Sequence, residues 1–387
     1  MAAPTREQVR DFVQACCLPR ESRAHVHDPL ALDATLAELR PLARERGLYL
    51  PTLPQRFGGL GLGWVERAPL LEEAGRSYLG PAAMNCAAPD QPNMISLLQQ
   101  GRPDQHQRYL QPLADGRLRS CFAMTEPAPG AGSDPSMLMT QARRVANGWE
   151  LEGRKWFITG AVGAAFAIVL AQTEEGPTQF IVDMDTPGMG LVRSIRSSDP
   201  FAVGGHGELR LQACRVPDDA VLGEPGLGLQ YAQQRLEPAR LSHCMRLAGR
   251  ARRALELAQD HVLRRHSFGS PLADLQQIQA MVADAHIDLY ASRLMVADCA
   301  ARMDAGQPVK TESAMAKVFV SEALNRVADR AAQMAGAHGM DEEAPIALIQ
   351  RELRPFRIYD GASELHRATL GRRFLKRRQA PDPRGDR

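Results

Sequence analysis

The sequence has no apolar run that approaches the roughly 18 residues of a membrane span, so no transmembrane helix is expected. Its first residues lack the basic-then-apolar layout of a secretory signal, and its last residues are not a peroxisomal address. The 7 cysteines are scattered, with no CxxC pair and no cluster of cysteine and histidine at zinc spacing. We therefore expect no disulfide framework, no metal site and a reduced, cytoplasmic location.

The chain also lacks an excess of charge of either sign. Lysine plus arginine number 47 and aspartate plus glutamate number 45. No long-range field would therefore attract nucleic acid or an anionic membrane, and an anionic ligand must be met by local charge. At 387 residues the chain is long enough for two or three domains with sizeable cores.

Three regions differ in their residue patterns, and we predict one domain for each. Residues 1–119 have helical periodicity, for example at 33–46 and 64–76, interrupted by proline and glycine. Residues 120–223 carry short apolar runs between Gly, Pro, Asn and Asp, which predict a compact β-domain. These runs include 149–152, 167–170, 179–182 and 207–211.

Residues 224–387 return to helical periodicity and predict a helix bundle. One apolar stripe consists of Leu241, Cys244, Met245, Ala248, Ala251, Leu255, Ala258 and Val262. A second consists of Met315, Val318, Phe319, Ala323, Val327, Ala331 and Met334. Narrow, alanine-rich stripes let antiparallel helices approach closely. The tail after Leu375, rich in Arg and Pro, is expected to be disordered.

Two glycine-rich segments, 121–134 and 153–160, combine features that suit a ligand surface. Gly130 and Gly132 allow close backbone approach, the threonines and serines supply hydroxyls, and Trp156 supplies a flat apolar face. Composition alone favours an ordinary turn beside a strand with core aromatics.

The order of these segments resembles the acyl-CoA dehydrogenase family. The family hallmark TEPGAGSD followed by K-x-x-I-T is similar to Thr125-Glu-Pro-Ala-Pro-Gly-Ala-Gly-Ser-Asp134 and Lys155-Trp-Phe-Ile-Thr159, with an insertion at Ala128-Pro129. The resemblance implies an α+β fold, in which an N-terminal α-helical domain and a central β-barrel-like domain precede a C-terminal four-helix bundle. It also implies FAD as cofactor. The residues that it places around the flavin are Phe122, Met124, Thr125, Ser133, Phe157 and Thr159, and Ser133 would also contact substrate.

A second group of motifs is similar to those that the family uses to reach the FAD of a neighbouring subunit. Arg265-His-Ser-Phe-Gly269 with Gln276 resembles R-x-[TS]-F-G…Q, and Gln333-Met-Ala-Gly-Ala337 resembles Q-x-x-G-G with Ala337 in place of glycine. The implied cofactor contacts are Arg265, Ser267, Phe268, Gln276, Gln333 and Ala337, and the implied assembly is a homodimer or homotetramer. An arginine fork suits a pyrophosphate, although a solvated arginine at a helix end is the simpler explanation of Arg265.

The segment Ile358-Tyr-Asp-Gly-Ala-Ser-Glu364 resembles the family motif I-Y-E-G-[TS]-x-E/Q, with Asp360 where most members have the catalytic glutamate. The resemblance implies a subgroup in which Asp360 removes the α-proton of an acyl thioester. It also implies that Gly361 leaves room for the thioester and that Ala362 and Glu364 contact the cofactor. Burial in an apolar pocket is expected to raise the pKa of Asp360. An ordinary Asp-Gly turn is the alternative.

Two residues ahead of the first bundle stripe are similar to family residues near the substrate. These are Arg240 and Glu237, with Glu237 a candidate contact to CoA. An exposed ion pair at the start of a helix explains them about as well.

The function implied by these motifs is FAD-dependent α,β-dehydrogenation of an acyl-CoA to the trans-2-enoyl-CoA, a step of fatty acid and other lipid metabolism, with electrons passed to an electron-transfer flavoprotein. Two alternatives stay open. One is a flavin oxidase of the same fold, similar to nitroalkane oxidase, which also uses an aspartate base. The other is a non-catalytic scaffold subunit, against which the intact Arg265, Gln276 and Gln333 argue.

Overall fold

A computed structural model describes residues 3–22 and 24–379 of the chain. Helices make up the N-terminal region: α1 Arg6–Phe12, α2 Ala24–His27, α3 Pro29–Glu45, α4 Trp64–Ala74, α5 Gly80–Ala83, α6 Asp90–Gln100, α7 Pro103–Gln105 and α8 Gln111–Ala114. Side-chain caps fix where some of them begin. The Thr5 hydroxyl accepts a hydrogen bond from the Gln8 backbone at the start of α1, and the Asp28 carboxylate accepts one from Leu30 at the start of α3. Helices are therefore present in both segments predicted from periodicity.

The central region is a curled seven-stranded sheet. Its strands are β1 Ser120–Ala123, β2 Gln141–Val145, β3 Gly148–Thr159, β4 Phe166–Thr173, β5 Gly176–Asp183, β6 Met189–Ile195 and β7 His206–Val216. They lie in the order β1-β4-β2-β3-β7-β6, and β5 pairs antiparallel with β4 along its whole length. β1 and β4 are parallel, while β3 and β7 are antiparallel with a register shift between Lys155 and Ile158. The four predicted apolar runs fall within β3, β4, β5 and β7.

The C-terminal region is built on long helices. Its elements are α9 Gly228–Arg264, a hairpin of β8 His266–Ser267 and β9 Ser270–Pro271, α10 Gln276–Asp304, α11 Lys310–Ala335, α12 Ala337–Met340, α13 Pro345–Leu353 and α14 Ser363–Gln379. The helix α11 packs against α9, α10, α13 and α14. α14 continues past Leu375, so the disorder expected there is wrong for residues 376–379, and residues 380–387 lie outside the described part.

The first predicted stripe is confirmed, since all of its residues are buried on α9. The second is only partly right. On α11 the residues Met315, Val318 and Phe319 are half-buried, and the buried face there includes Lys317 and Val320 instead. Lys317 belongs to the buried face because its Nζ donates to the Gly361 carbonyl, a partner distant in sequence.

One hydrophobic cluster runs through the N-terminal helices and the bundle, whereas the sheet encloses a separate core. α9 makes much of this connection by packing against both α4 and α6. The proposed domain boundaries at 119/120 and 223/224 fall at the start of β1 and in the connection between β7 and α9. Within the described residues, no helix is both long and apolar enough to cross a bilayer, and no cluster of three potential metal ligands occurs.

Candidate active site

Asp360 lies in a tight turn between the end of α13 and the start of α14. Both it and Gly361 have left-handed backbone conformations, with φ of 54° and 95°. The aspartate conformation is costly, so surrounding groups must hold it. Arg240 Nε donates to the Asp360 carbonyl oxygen at 2.9 Å, His366 Nε2 lies 3.0 Å from the same oxygen, and Lys317 Nζ donates to the Gly361 carbonyl at 2.6 Å. The turn is thus fixed through its carbonyl groups.

The Asp360 carboxylate has a different neighbour. His243 Nδ1 lies 2.9 Å from Oδ2 and also 3.0 Å from the Ala239 carbonyl oxygen, with which its N–H is aligned. Oδ2 is inaccessible to solvent and has no well-aligned hydrogen bond of its own. The imidazole packs against the rings of Phe356 and Tyr359, with centroids 5.9 and 5.0 Å away.

The electrostatics of this site differ from the sequence-based expectation. Burial raises the pKa of Asp360, but the neighbouring His243, Arg240 and Arg235 outweigh burial and hold the pKa well below its usual range. The expected net rise is therefore wrong for the protein without substrate, because the cationic Arg240 and Arg235 and the His243 ring beside the carboxylate favour its ionised form. Because its pKa is lowered, Asp360 is ionised at neutral pH. Burial also lowers the pKa of Lys317 to about 8.

Position 361 requires glycine, because a side chain there would collide with His366. A Cβ atom at position 361 would lie 2.5 Å from His366 Nε2, and the φ of 95° is one that side chains rarely adopt. The alternative of an ordinary, exposed Asp-Gly turn does not describe this segment, since the Asp360 side chain is only 15% exposed.

The ends of β1 and β3 bring together a second set of predicted residues. Trp156 donates its backbone N–H to the Thr125 carbonyl at 2.9 Å, and the Thr125 hydroxyl donates to the Trp156 carbonyl at 2.6 Å. Phe157 has a φ of 54°, its side chain is 46% exposed, and its ring stacks on Trp156 at 5.6 Å. Thr159 lies beside them, 3.1 Å from His206 Nδ1. This is an aromatic surface with hydroxyls at its edge.

Arg235 connects this surface to the turn at Asp360. Its guanidinium lies 4.1 Å over the Phe122 ring, and its Nε donates to Asn93 Oδ1 at 2.9 Å. Burial lowers the pKa of Arg235 to about 10, an effect that the charge of Asp360 opposes. Sequence reasoning missed Arg235, His243 and Lys317, because each owes its importance to a partner distant in sequence.

The loop that follows Thr125 is held by one buried carboxylate. Glu126 accepts hydrogen bonds from Ala131 N at 3.1 Å, Met139 N at 2.7 Å, and Thr140 N and Oγ1 at 2.9 and 2.5 Å. Lys155 Nζ lies 2.9 Å from it. The insertion at 128–129 lines a cavity of about 410 Å³ beside this loop, and Ser133 is exposed.

The two predicted substrate contacts on α9 lie in different surroundings. Arg240 is buried against Asp360, so the alternative of an exposed ion pair with Glu237 is wrong. Glu237 instead borders a cavity of about 900 Å³, whose polar lining also includes Gln99, Tyr231 and Gln307.

The remaining predicted cofactor residues lie far from Asp360 within this chain. Along α9, at 1.5 Å per residue, about 36 Å separates Arg240 from Arg264, where the helix ends. Arg265 follows directly, and a ring contact of 5.3 Å between His261 and His338 brings α12 to the same end of the bundle. The exposed residues of this set are Arg265, Phe268, Gln276, Gln333 and Ala337, with Ser267 half-buried. Ala362 and Glu364 adjoin the Asp360 turn, half-buried and exposed respectively.

Comparison with known proteins gives the same assignment for all three regions. Models of the acyl-CoA dehydrogenase N-terminal, middle and C-terminal domains match residues 3–117, 121–214 and 226–375. Mouse (Mus musculus) acyl-CoA dehydrogenase family member 10 is 34% identical over 392 residues, 96% of this chain and 36% of that protein. The chain thus spans about a third of this relative.

Two further proteins are similar over most of their own length. Human (Homo sapiens) mitochondrial short-chain specific acyl-CoA dehydrogenase is 32% identical over 90% of this chain and 86% of that protein. The structure of butyryl-CoA dehydrogenase from Megasphaera elsdenii superposes with a TM-score of 0.85 at 27% identity, covering 96% of this chain and 97% of the other. The chain therefore belongs to the acyl-CoA dehydrogenase family of oxidoreductases.

Proposed function

We propose that this protein is an FAD-dependent dehydrogenase that converts an acyl-CoA to the trans-2-enoyl-CoA, with Asp360 as the base. The observation that carries the proposal is Asp360 itself: its carboxylate is ionised and largely shielded from solvent. The turn that carries it is fixed by contacts of Arg240 and His366 to the Asp360 carbonyl and of Lys317 to the Gly361 carbonyl. A base that works at neutral pH must be ionised before substrate arrives and must be held at one position. Asp360 meets both conditions.

The aromatic surface at the ends of β1 and β3 fits a flavin. Phe157 offers an exposed flat face, and the buried Trp156 Nε1 has no hydrogen-bond partner among the described residues. The hydroxyls of Thr125 and Thr159 lie at its edge. The residues that would hold FAD here are Phe122, Met124, Thr125, Ser133, Phe157 and Thr159. When bound, FAD would supply the acceptor for the hydride that leaves the β-carbon.

The distant set would serve the FAD of a second copy of the chain. The set consists of Arg265, Ser267, Phe268, Gln276, Gln333 and Ala337, and Arg265 follows an α9 end about 36 Å from Arg240 beside Asp360. We therefore propose a homodimer or homotetramer. A light-scattering mass of one chain with FAD retained would contradict this assembly.

Within this chain, the role of the site residues is to prepare and position the base. The cationic groups around Asp360 keep it ionised, and the contacts to the Asp360 and Gly361 carbonyls prevent the turn from relaxing. When the thioester enters and displaces water, the carboxylate loses solvation and becomes a stronger base. Asp360 then takes the α-proton while the Cα–Cβ double bond forms. Ser133, Glu237, Arg240 and Gly361 are the proposed substrate contacts, and Ala362 and Glu364 would adjoin the cofactor.

The relatives suggest the first substrates to test. The names of the human and Megasphaera elsdenii proteins refer to short-chain and butyryl thioesters, so butyryl-CoA is the first candidate. We propose an electron-transfer flavoprotein as the electron acceptor.

Anaerobic bleaching of bound flavin by a panel of acyl-CoAs, with small nitroalkanes included, tests the proposal. Bleaching by a thioester within a catalytically useful time is expected, and the product should be the enoyl-CoA by mass spectrometry. Bleaching by nitroalkanes alone would instead indicate the oxidase. A purified protein without flavin that cannot be reconstituted would support the scaffold alternative.

A further inference from the structure

We propose that His243 is a positioning residue for the base: its Nδ1–H directs the carboxylate of Asp360 so that Oδ1 faces the substrate. This inference deepens the proposed function and rests on Asp360 being the base. A family resemblance does not predict it, because His243 lies on α9 and meets Asp360 only in the folded chain.

His243 is the group placed to orient the carboxylate among the described residues. Arg240 and His366 both contact the Asp360 main-chain carbonyl, and Lys317 contacts the carbonyl of Gly361. None of these three bonds restrains rotation of the Asp360 side chain. The contact that can restrain it is the one to His243, whose Nδ1 lies 2.9 Å from Oδ2 while its N–H is aligned with the Ala239 carbonyl.

The imidazole is itself fixed. Packing against Phe356 and Tyr359 restricts the ring, and the closeness of Nδ1 to two acceptors, Oδ2 and the Ala239 carbonyl, places the ring proton on Nδ1. Burial and the charge of Arg246 lower the pKa of His243, so the ring is neutral at pH 7 and carries a single Nδ1 proton to donate.

The two acceptors give this donor a role at each stage of the reaction. In the protein without substrate, the N–H is aligned with the Ala239 carbonyl, and Oδ2 lies 2.9 Å from the same Nδ1. When the thioester enters and displaces water, the N–H turns to the ionised Oδ2, because a bond to a charged acceptor is stronger than one to a carbonyl. Once Asp360 has taken the α-proton on Oδ1, the N–H can return fully to the Ala239 carbonyl at 3.0 Å. His243 therefore favours the ionised base without accepting a proton, and it leaves Oδ1 as the reactive atom.

Other charged and titratable groups face the pair from several elements. Arg235, Arg240 and Arg246 come from α9, Lys317 from α11, Tyr359 from the turn and His366 from α14, and Cys244 lies next to His243 on α9. The arginines and Lys317 keep their charge in a His243 variant. If the pH at which activity falls on the acid side changes after His243 is replaced, the change is therefore due to loss of the Nδ1–H donor.

The test uses α-proton exchange, which does not depend on hydride transfer. The holoenzyme is incubated in D₂O with 3-thiabutyryl-CoA, in which sulfur replaces the β-carbon so that no hydride can leave, and deuterium entry at the α-carbon is followed by NMR. In His243→Phe we expect the exchange rate in its pH-independent range to fall at least about tenfold. The midpoint pH at which the rate falls on the acid side should rise by about one to two pH units, the effect of losing one charge-assisted hydrogen bond. His243→Asn, whose amide can place N–H near the Nδ1 position, should recover most of both.

Two comparisons keep the outcomes separate. His286→Phe, at an exposed histidine on α10, should behave like the parent protein. Exchange in Asp360→Asn at the parent rate would overturn the base and with it the proposed function. No exchange in Asp360→Asn, together with parent rate and acid limb in His243→Phe, would overturn only the role of His243. Equal loss in His243→Phe and His243→Asn at unchanged thermal stability would also overturn it.

Discussion

The buried ion pair of Glu126 and Lys155 should add little to the free energy of unfolding, whereas removing one partner should lower that free energy strongly. Burial raises the pKa of Glu126, yet Lys155 and the hydrogen bonds from Thr140 and Met139 outweigh burial and lower it from 4.5 to about 2. For Lys155, burial outweighs the attraction of Glu126 and lowers the pKa from 10.5 to about 8. The two changes have opposite effects on the stability of the charged pair, so the net contribution of the pair is expected to be small.

Replacing one partner leaves the other charge buried and unpaired. We expect Glu126→Gln to lower the free energy of unfolding by about 3 to 5 kcal/mol, because Lys155 is fully buried and Gln cannot accept all of the hydrogen bonds that hold the loop. The double variant Glu126→Gln/Lys155→Met should recover at least half of the loss. Glu174→Gln, at an exposed site in the same region, should change stability by less than about 0.5 kcal/mol.

Thermal unfolding of the four proteins, together with flavin retention after dialysis, measures this prediction. The pH dependence of stability gives an independent check, because the direction of the effect is defined. Because the folded-state pKa of Glu126 lies below its unfolded value, its contribution is complete above pH 4.5 and is lost as the pH falls toward 2. The acid-induced loss should therefore be smaller in Glu126→Gln. A Glu126→Gln protein as stable as the parent, or a double variant no more stable than Glu126→Gln, would refute this reasoning.

Three further substitutions test the proposed sites. Arg265→Lys should lower FAD retention on dialysis, since the charge remains but the planar donor fork is lost, and unchanged occupancy would make Arg265 a solvated arginine. Gly361→Ala should reduce both thermal stability and the rate of flavin reduction, because its Cβ would lie 2.5 Å from His366 Nε2. In the control Gly371→Ala, where a Cβ would have nothing within 4 Å, neither should change. Equal behaviour of the two variants would contradict the role of Gly361. Asp360→Glu should slow flavin reduction, since His243 at 2.9 Å leaves no room for a longer arm, and a faster Glu variant would show that the pocket is not built around a short base.

Local patterns in the sequence were enough to predict much of the fold. The stripe on α9 is regular because one face of a long helix packs against the same neighbours throughout, so periodicity alone located its buried residues. β2 and β6 were not predicted, because their residues are mostly exposed and lack the apolar runs that mark β4 and β5. Those strands exist through pairing with distant partners, which a single local segment does not encode.

The candidate site could be predicted only where a motif was contiguous. Asp360 and Gly361 were singled out by a short motif, but the motif says nothing of the charges around them, so the direction of the Asp360 pKa was predicted wrongly. Those charges come from α9 and α11, more than 40 residues away in sequence. Lys317 was overlooked for the same reason, since a lysine in a helix is normally solvated and only its bond to the Gly361 carbonyl makes it part of the site.

The measurement that tests the central claim most directly is anaerobic stopped-flow reduction of the bound flavin by butyryl-CoA in Asp360→Asn. The substitution is nearly isosteric, but it removes the negative charge of Asp360 together with its ability to accept the α-proton. We expect the variant to fold and retain FAD with a lower thermal stability, because Arg235 and Arg240 lose an opposing charge, while the rate constant for flavin reduction by the folded protein falls at least about 10²-fold. Reduction of the Asp360→Asn flavin at the parent rate would contradict the assignment of Asp360 as the base.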